Sequence, residues 1–183
     1  VTMAPGDQLY TLWGHAALRV RRSHPREDIG YNFGSVDIGP RVFWDMIGGQ
    51  VTAYVARGPF GRMAQVYRGE GRQVVRRQLN LPADEARALA ERLEAIPGAA
   101  DSRYRSHHFM DNCSTRVADE IDRATQGALS KAGSEASPRS FRDIALRPLR
   151  RRTYLYVLVA ILLNDEVARP ISTWQAAFLP EEL

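Results

Sequence analysis

The chain is poor in several residue types that other classes of protein need. Cys113 is the single cysteine among 183 residues, which excludes an intramolecular disulfide and any zinc site built from several cysteines. Lys131 is the only lysine, so nearly all the positive charge comes from arginine. The longest apolar run, residues 154–163, has ten residues, about half of what spans a bilayer. The sequence therefore predicts a soluble piece without a membrane-spanning helix.

The basic charge raises the question of nucleic-acid binding, since the net charge is +4 and the pI about 9.6. The arginines are scattered, apart from a cluster of Arg147, Arg150, Arg151 and Arg152. Proteins that bind single-stranded nucleic acid alternate basic with aromatic side chains, and this sequence lacks that pattern. We therefore predict no nucleic-acid partner.

The remaining composition is that of an ordinary globular protein, with 44% hydrophobic and 25% charged residues. At this length we expect a single domain over residues 1–183, with a polar loop at about 127–140 and a C-terminal helical part at about 141–183. The sequence opens at Val1 without an initiator methionine. We therefore expect a processed or excised fragment, compatible with the loss of a targeting segment.

The first half of the chain predicts mostly strands. A charged loop at 21–28 separates the first two as in a β-hairpin, and a tight turn at 68–71 joins the last two. A short helix or lid-like segment is expected at 42–47. The clearest helix covers 83–96, between Pro82 and Pro97. The expected strands are 15–20, 29–34, 51–56, 63–66 and 73–79.

The segment 104–115 holds the residues best suited to chemistry. Val117 and Ile121 follow it at helical spacing, and Asp111 or Asn112 is a good N-cap. Cys113 is therefore expected in the first turn of a helix. Unpaired N–H groups and the helix dipole lower the pKa of a thiol there and favour the nucleophilic thiolate.

A cysteine nucleophile needs a histidine base and a third group that orients the ring. His15 is the preferred base, because it lies on a predicted strand among small residues. His107 and His108 are expected to line the site, but they are too close in sequence to the sulfur to fold back onto it well. His24 lies in a charged loop and is expected to be solvated. Asn32, on the neighbouring strand, is the best candidate for orienting the ring.

Two other interpretations remain open from the residues alone. A lone cysteine is commonly a small buried core residue, although the polar residues on both sides of this one argue against that. A mononuclear metal site of His15, His107, His108 and Asp111 lacks the usual ligand spacing. We predict no metal and no cofactor.

The C-terminal part predicts a short helix at 141–149, cut at Pro148, and a strongly apolar helix at 153–163. Its length favours a helix buried in the core. Arginines 150–152 before it, with Tyr154 and Tyr156 at its start, leave docking at a membrane surface as the alternative.

Several motifs together resemble the Lnb N-terminal periplasmic domain family, over about residues 3–180. This resemblance implies a bacterial envelope protein that faces the periplasm, commonly joined to membrane helices that are absent here. The motifs are Pro5-Gly6-Asp7, Leu12-Trp13-Gly14-His15-Ala16-Ala17-Leu18-Arg19-Val20, Tyr31-Asn32-Phe33-Gly34 with Asp37, His107-His108-Phe109-Met110-Asp111-Asn112-Cys113-Ser114-Thr115, and Trp174 with Phe178-Leu179-Pro180.

The family's name comes from members implicated in adding the N-terminal acyl chain to bacterial lipoproteins. The domain is also distantly similar to permuted papain-like enzymes of the NlpC and lecithin:retinol acyltransferase kind. That similarity implies an α+β fold, with an antiparallel sheet packed against helices and the nucleophile at a helix N-terminus. It maps His15 as base and Cys113 as nucleophile. The third position, usually a second histidine on the next strand, is here Asn32.

The predicted function is therefore acyl transfer by a Cys-His pair in the periplasm. A phospholipid would give its acyl chain to Cys113, and an amine such as a lipoprotein N-terminus, or water, would accept it. The candidates for contacting substrate or oxyanion are His108, His107 and Asn112, with the Cys113 backbone N–H. The alternatives are a cysteine peptidase or amidase acting on peptidoglycan, and a non-catalytic binding module of the cell envelope.

Overall fold

The computed structural model describes residues 1–22, 28–37, 39–40, 44–45, 48, 51–96, 98 and 101–183. The architecture is mixed α+β, as predicted. The strands are β1 Thr2–Met3, β2 His15–Ala16, β3 Leu18–Arg21, β4 Asp28–Ser35, β5 Thr52–Pro59, β6 Val74–Val75, β7 Tyr104–Arg105, β8 Ala136–Ser140 and β9 Pro170–Ser172. The helices are α1 Phe60–Gly69, α2 Ala83–Glu94, α3 Cys113–Ala124, α4 Ala128–Ala132, α5 Phe141–Leu146, α6 Thr153–Leu162 and α7 Thr173–Ala176, with 3₁₀ turns at Leu9–Thr11, Arg147–Leu149 and Asp165–Ala168.

The sheet is antiparallel throughout and curls at Ala17. One part has the strand order β3-β4-β5-β7 and another the order β2-β1-β6, while β8 pairs with β9 apart from both. Ala17 alone separates β2 from β3, and its N–H and carbonyl oxygen bond to the carbonyl oxygen and ammonium group of Val1, both at 2.9 Å. The first strands therefore run on from one part of the sheet into the other.

Strands β3 and β4 form the predicted hairpin, with Leu18 opposite Tyr31. The pairing of β4 with β5 shifts register between Asn32 and Ser35. Gly34 lies in this irregularity with φ of +77°, a conformation that glycine adopts without strain. A β-bulge bends its strand and redirects the side chains beside it.

The main core lies between the sheet and helices α2 and α3. Leu93 of α2 and Val117 of α3 are almost fully buried there. Helix α2 confirms the clearest helix prediction: Pro82 precedes it, acidic residues occupy its first turn and Arg92 its last, as the helix dipole favours.

A second cluster joins the C-terminal part to the segment before α3. Phe109 packs on Phe141 and Phe178, with ring centroids 5.1 and 5.3 Å apart. A third cluster of Leu12, Leu146 and Leu149 supports one face of α6. Both clusters join residues far apart in sequence.

The structure corrects the predictions for residues 60–79. The expected strand at 63–66 belongs to helix α1, which buries Phe60 and Ala64 at helical spacing. The expected turn at 68–71 is the C-terminal end of this helix, which stops at Gly69. Only Val74–Val75 of the expected strand 73–79 is extended, opposite β1. The glycines near residue 70 end a helix and do not form a hairpin.

The expected polar loop at 127–140 is also wrong, since it contains α4 and β8. Strand β8 is held by β9, with Ala136 opposite Ser172, and such a distant partner leaves no local signal. The predicted helix at 42–47 lies outside the described residues, except for the helical positions 44–45.

Helix α6 was expected in the core, and this expectation is wrong. None of its residues is buried. Among the described residues, no helix has the length and apolar character required to cross a membrane.

Candidate active site

Cys113 is the first residue of α3, and Asn112 is the N-cap. The Asn112 Oδ1 accepts hydrogen bonds from the backbone N–H groups of Ser114 and Thr115 at 2.8 and 3.1 Å, while the Asn112 N–H donates to Thr115 Oγ1 at 2.8 Å. This is a capping box. The Cys113 N–H donates to no described residue, so one helix-terminal donor beside the sulfur stays open.

The other end of the Asn112 side chain ties the helix to the preceding turn and to the C-terminal part of the chain. Its Nδ2 donates to the backbone oxygens of His108 at 2.6 Å and Phe178 at 3.0 Å. Both donors and the acceptor of this amide are therefore engaged within the protein. Asn112 positions the helix, and its side chain has no donor left for a substrate oxygen.

His15 of β2 contacts Cys113 on one side and Asn32 of β4 on the other. The Asn32 Oδ1 accepts a hydrogen bond from His15 Nε2, which leaves Nδ1 as the ring nitrogen available to the Cys113 thiol. The sequence-predicted residues His15, Asn32 and Cys113 thus lie together, although 98 residues (113 − 15) separate the histidine from the cysteine.

The thiol and the imidazole change each other's ionisation. Burial alone would raise the pKa of Cys113, but the charge and hydrogen bond of His15, with the Ala16 backbone N–H and the Ser114 hydroxyl, lower it. Burial alone would lower the pKa of His15, but the Cys113 thiolate and the Asn32 amide raise it. The opposite shifts favour a thiolate–imidazolium pair.

The residues of the pair are not fully enclosed in the core. Cys113 and His15 both have intermediate exposure. Gly34 lies against the cysteine, since a Cβ at this position would be 3.4 Å from Cys113 Cβ. The absence of a side chain at Gly34 therefore keeps the space beside Cys113 open.

Tyr67 of α1 completes the arrangement and was missed by sequence reasoning. Its ring stacks on His15, with centroids 5.7 Å apart and planes 20° apart, and its hydroxyl accepts from Asn32 Nδ2 at 3.4 Å. The buried guanidinium of Arg72 lies over the other side, 4.9 Å from the ring centroid. Tyr67 lies between the predicted strand 63–66 and the predicted turn 68–71, so no sequence signal connects it with His15.

Tyr104 of β7 is a second residue that sequence reasoning missed. Its hydroxyl is buried and finds no acceptor among the described residues, although the Gly34 backbone N–H acts on its oxygen and opposes the rise of its pKa. Burial raises the pKa of this phenol, and the Cys113 thiolate raises it further. Arg116 stacks 3.4 Å from the ring centroid and pairs with Asp111 at 2.6 Å. The ring is thus held in place, and its hydroxyl keeps an unused donor.

The two histidines before the cysteine are exposed at the surface. His107 is exposed, and its Nδ1 accepts from the backbone N–H groups of Phe109 and Met110 at 3.3 and 3.2 Å, so it stabilises the turn before α3. His108 is exposed as well. His24 lies outside the described residues.

A groove of about 320 Å³ begins at Asn32 and Tyr67 and runs between β4, β5 and α1. Two arginines line it, but the rest of its wall is small or apolar: Gly30, Ala56, Gly58, Pro59, Met63 and Val66. Within the described ranges, no three side chains of His, Cys, Asp or Glu converge as metal ligands do.

The comparison with known families supports the motifs up to residue 149 and does not cover the one at 174–180. The sequence profile of the Lnb N-terminal periplasmic domain matches residues 1–149. No curated protein and no solved structure matches the chain significantly. The match includes His15, Asn32 and Cys113, and it ends before α6.

Proposed function

This chain belongs to the Lnb N-terminal periplasmic domain family, and on that premise we propose that it is a thiol acyl-transfer enzyme of the cell envelope. The domain is periplasmic. The acyl chain of a phospholipid would pass to Cys113 as a thioester and then to an amine, such as a lipoprotein N-terminus, or to water. The proposal includes a permuted papain-like arrangement, in which the strand of the base precedes the helix of the nucleophile.

One observation carries the proposal: Cys113 lies close enough to His15 for each to shift the pKa of the other, and the His15 Nε2 donates a hydrogen bond to Asn32. A nucleophile, a base and a group that orients the base are the three parts that covalent acyl transfer requires. Such a site is recognised by geometry and roles, and not by the order of residues in the chain.

The reaction follows from these contacts. The Cys113 thiolate attacks the ester carbonyl carbon, and the imidazolium of His15 gives its proton to the departing alcohol oxygen. The products are the acyl-thioester and a lysophospholipid. His15, now neutral, takes a proton from the attacking amine or water, and the thiolate leaves from the second tetrahedral intermediate. Asn32 keeps the ring oriented through both steps.

Two donors are available for the oxyanion of each intermediate. The Cys113 backbone N–H lies at the positive end of the α3 dipole and donates to no described residue. The buried Tyr104 hydroxyl is also without an acceptor for its proton in the described part of the chain. Preorganised donors of this kind commonly contribute about 10²–10³-fold to the rate.

The groove beside Asn32 and Tyr67 favours an acyl chain over a peptide. Its wall is mostly apolar, as a hydrocarbon chain requires, whereas a peptide needs partners for its backbone N–H and C=O groups. This supports acyl transfer over the alternative, a cysteine amidase or peptidase acting on peptidoglycan.

The test is incubation with phosphatidylglycerol vesicles and a peptide with a free N-terminus, followed by mass spectrometry. We expect lysophospholipid, acylated peptide and an acyl adduct on Cys113. Cys113→Ala should abolish all three while keeping the melting temperature, because the thiol makes no large contribution to the core. Product formation by this variant would contradict the mechanism.

A parallel incubation with muropeptides separates the alternatives. Cleaved muropeptides without lysophospholipid would identify an amidase. If neither substrate reacts and iodoacetamide alkylates Cys113 no faster than a model thiol, the chain is a binding module without catalysis.

A further inference from the structure

Helix α6 presents a continuous apolar stripe to solvent. Tyr154, Val157, Leu158, Ile161 and Leu162 follow the i, i+3, i+4, i+7, i+8 pattern of one helix face. They are 93%, 50%, 54%, 76% and 59% exposed, in that order. This pattern marks a face that is normally buried.

The opposite face of α6 is held by the protein. Leu155, Val159, Ala160 and Leu163 pack on the third core cluster, and Arg142 donates to the Ala160 backbone oxygen at 3.0 Å. The outward stripe is therefore fixed in its orientation, and the exposure does not come from a loose helix end.

The size of the helix fits a membrane surface. Its ten residues correspond to about 15 Å at 1.5 Å per residue, half the thickness of a bilayer core. Helices of this kind lie in the interface, with the apolar face in the acyl region and basic residues among the headgroups.

The charges around the stripe match an anionic lipid. Residues 144–164 contain four arginines and no Asp or Glu. Arg150 and Arg151, just before α6, are exposed and form no ion pair within the described part of the chain. Each basic side chain near an anionic membrane surface contributes about 1 kcal/mol to binding.

We propose that the α6 stripe and Arg150–Arg151 form a docking surface for an anionic phospholipid bilayer. The chain is a periplasmic domain, so membrane surfaces are within its reach. The inference is carried by α6 and not by Cys113, and it stands whether or not the proposed acyl transfer is correct.

A second copy of the chain is the competing occupant. Asp165 and Glu166 are exposed just after the helix, so two α6 helices packed antiparallel would bring arginines near acidic residues. That arrangement predicts a dimer in the absence of lipid, whereas membrane docking predicts a monomer that binds vesicles.

The experiment is flotation of the protein with vesicles of phosphatidylglycerol and phosphatidylcholine, or of phosphatidylcholine alone. We expect wild-type protein to float with the anionic vesicles. Ile161→Glu should weaken this binding at least tenfold, because it removes apolar burial and places a charge in the acyl region. Leu129→Glu, at an exposed leucine of α4, is the charge-matched control and should bind as wild type.

The contribution of Arg150 and Arg151 to vesicle binding is tested separately. Arg150→Gln with Arg151→Gln should weaken binding to anionic vesicles about thirtyfold, and Arg68→Gln with Arg87→Gln, at exposed arginines of α1 and α2, should have little effect. Cys113→Ala should float like wild type, so that failure of either proposal leaves the other intact.

Light scattering of the protein without lipid tests whether a second copy of the chain covers the α6 stripe. A monomeric wild-type protein that floats supports the proposal. Absence of flotation overturns it, and so does a wild-type dimer that Ile161→Glu converts to a monomer. Since Ile161 is 76% exposed, the variant should fold, and its melting curve checks this.

Discussion

Helices α3 and α6 are of similar length and have opposite relations to the core. Helix α3 has mostly polar residues, yet it buries Val117 and Ile121 against the sheet and α2. Helix α6 is apolar at almost every position, yet it buries no residue. Apolar content therefore does not decide which helix is in the core.

The difference lies in what each helix has on its two sides. Asn112 caps α3 and ties it to Phe178, and its apolar residues all face the core. Helix α6 lacks a side-chain cap at Arg152 and packs by one face on a small cluster. A helix with two apolar faces can bury only one of them unless something outside covers the other.

The largest expected difference in stability is between variants of two isoleucines, Ile121 of α3 and Ile161 of α6. Ile121→Ala should lower the free energy of unfolding by about 2–5 kcal/mol, because it leaves a cavity between the sheet and the helices. Ile161→Ala should change it by less than about 0.5 kcal/mol. Denaturant titration of both variants checks this. Equal losses would mean that α6 is a core helix after all.

The N-caps of the two helices provide the next comparison. Asn112→Ala should cost about 2 kcal/mol, because it removes the cap and leaves two carbonyl oxygens without their donor. Asn112→Asp keeps the acceptor and should restore about half of the loss. Arg152→Ala removes an exposed contact with Asp7 and should cost less than about 1 kcal/mol. A larger loss for Arg152→Ala than for Asn112→Ala would contradict this assignment of the cap.

The thiol at the start of α3 should depend on His15. The pKa of Cys113 is lowered, so its thiolate persists as the pH falls, until the pH passes below that pKa. Iodoacetamide should therefore alkylate wild-type protein with an inflection below that of a free thiol, whose pKa is about 8.5.

Replacement of the histidine tests the cause. In the His15→Ala variant the effect of burial on the Cys113 thiol is no longer opposed by the histidine, so the pKa of the thiol should rise. We therefore expect the inflection of the alkylation profile to move to higher pH and the alkylation rate at pH 7 to fall roughly tenfold or more. His107→Ala should leave the profile unchanged, because its ring faces the turn. A shift of similar size in both variants would argue against a specific His15–Cys113 pair.

The smallest effect should come from the glycine beside the sulfur. Gly34→Ala requires a positive φ and places a methyl group against Cys113 Cβ, so it should cost about 1 kcal/mol and slow alkylation. Gly58→Ala, on the paired strand and with nothing within 4 Å, should be neutral or slightly stabilising. Equal stabilities and equal alkylation rates in the two variants would show that the reactivity of Cys113 does not require the space at Gly34.

Local features could be predicted from the sequence. The β3–β4 hairpin, α2 and the helix beginning at Cys113 depend on neighbouring residues, and their turn, cap and periodicity signals were sufficient. Helix α1 could not be predicted in the same way, because Val66 and the following glycines are also typical of a hairpin. The packing of Phe60 and Ala64 against the sheet decided for a helix.

The candidate site was predictable only in its chemistry. Residue type and local context indicated Cys113, His15 and Asn32, and the structure brings these side chains together. Tyr67 and Tyr104 could not have been found, because their hydroxyls reach the site through α1 and β7, elements whose positions depend on distant strand pairs.

The sequence by itself determined that the Cys113 thiol lies at the start of a capped helix and that α6 is apolar. Both features depend on residues within one or two helical turns. Only the tertiary structure decided that the Asn112 side chain bonds to Phe178, that His107 and His108 are exposed, and that α6 presents an apolar face to solvent. Those outcomes depend on which distant surfaces meet, and a local sequence pattern contains no information about that.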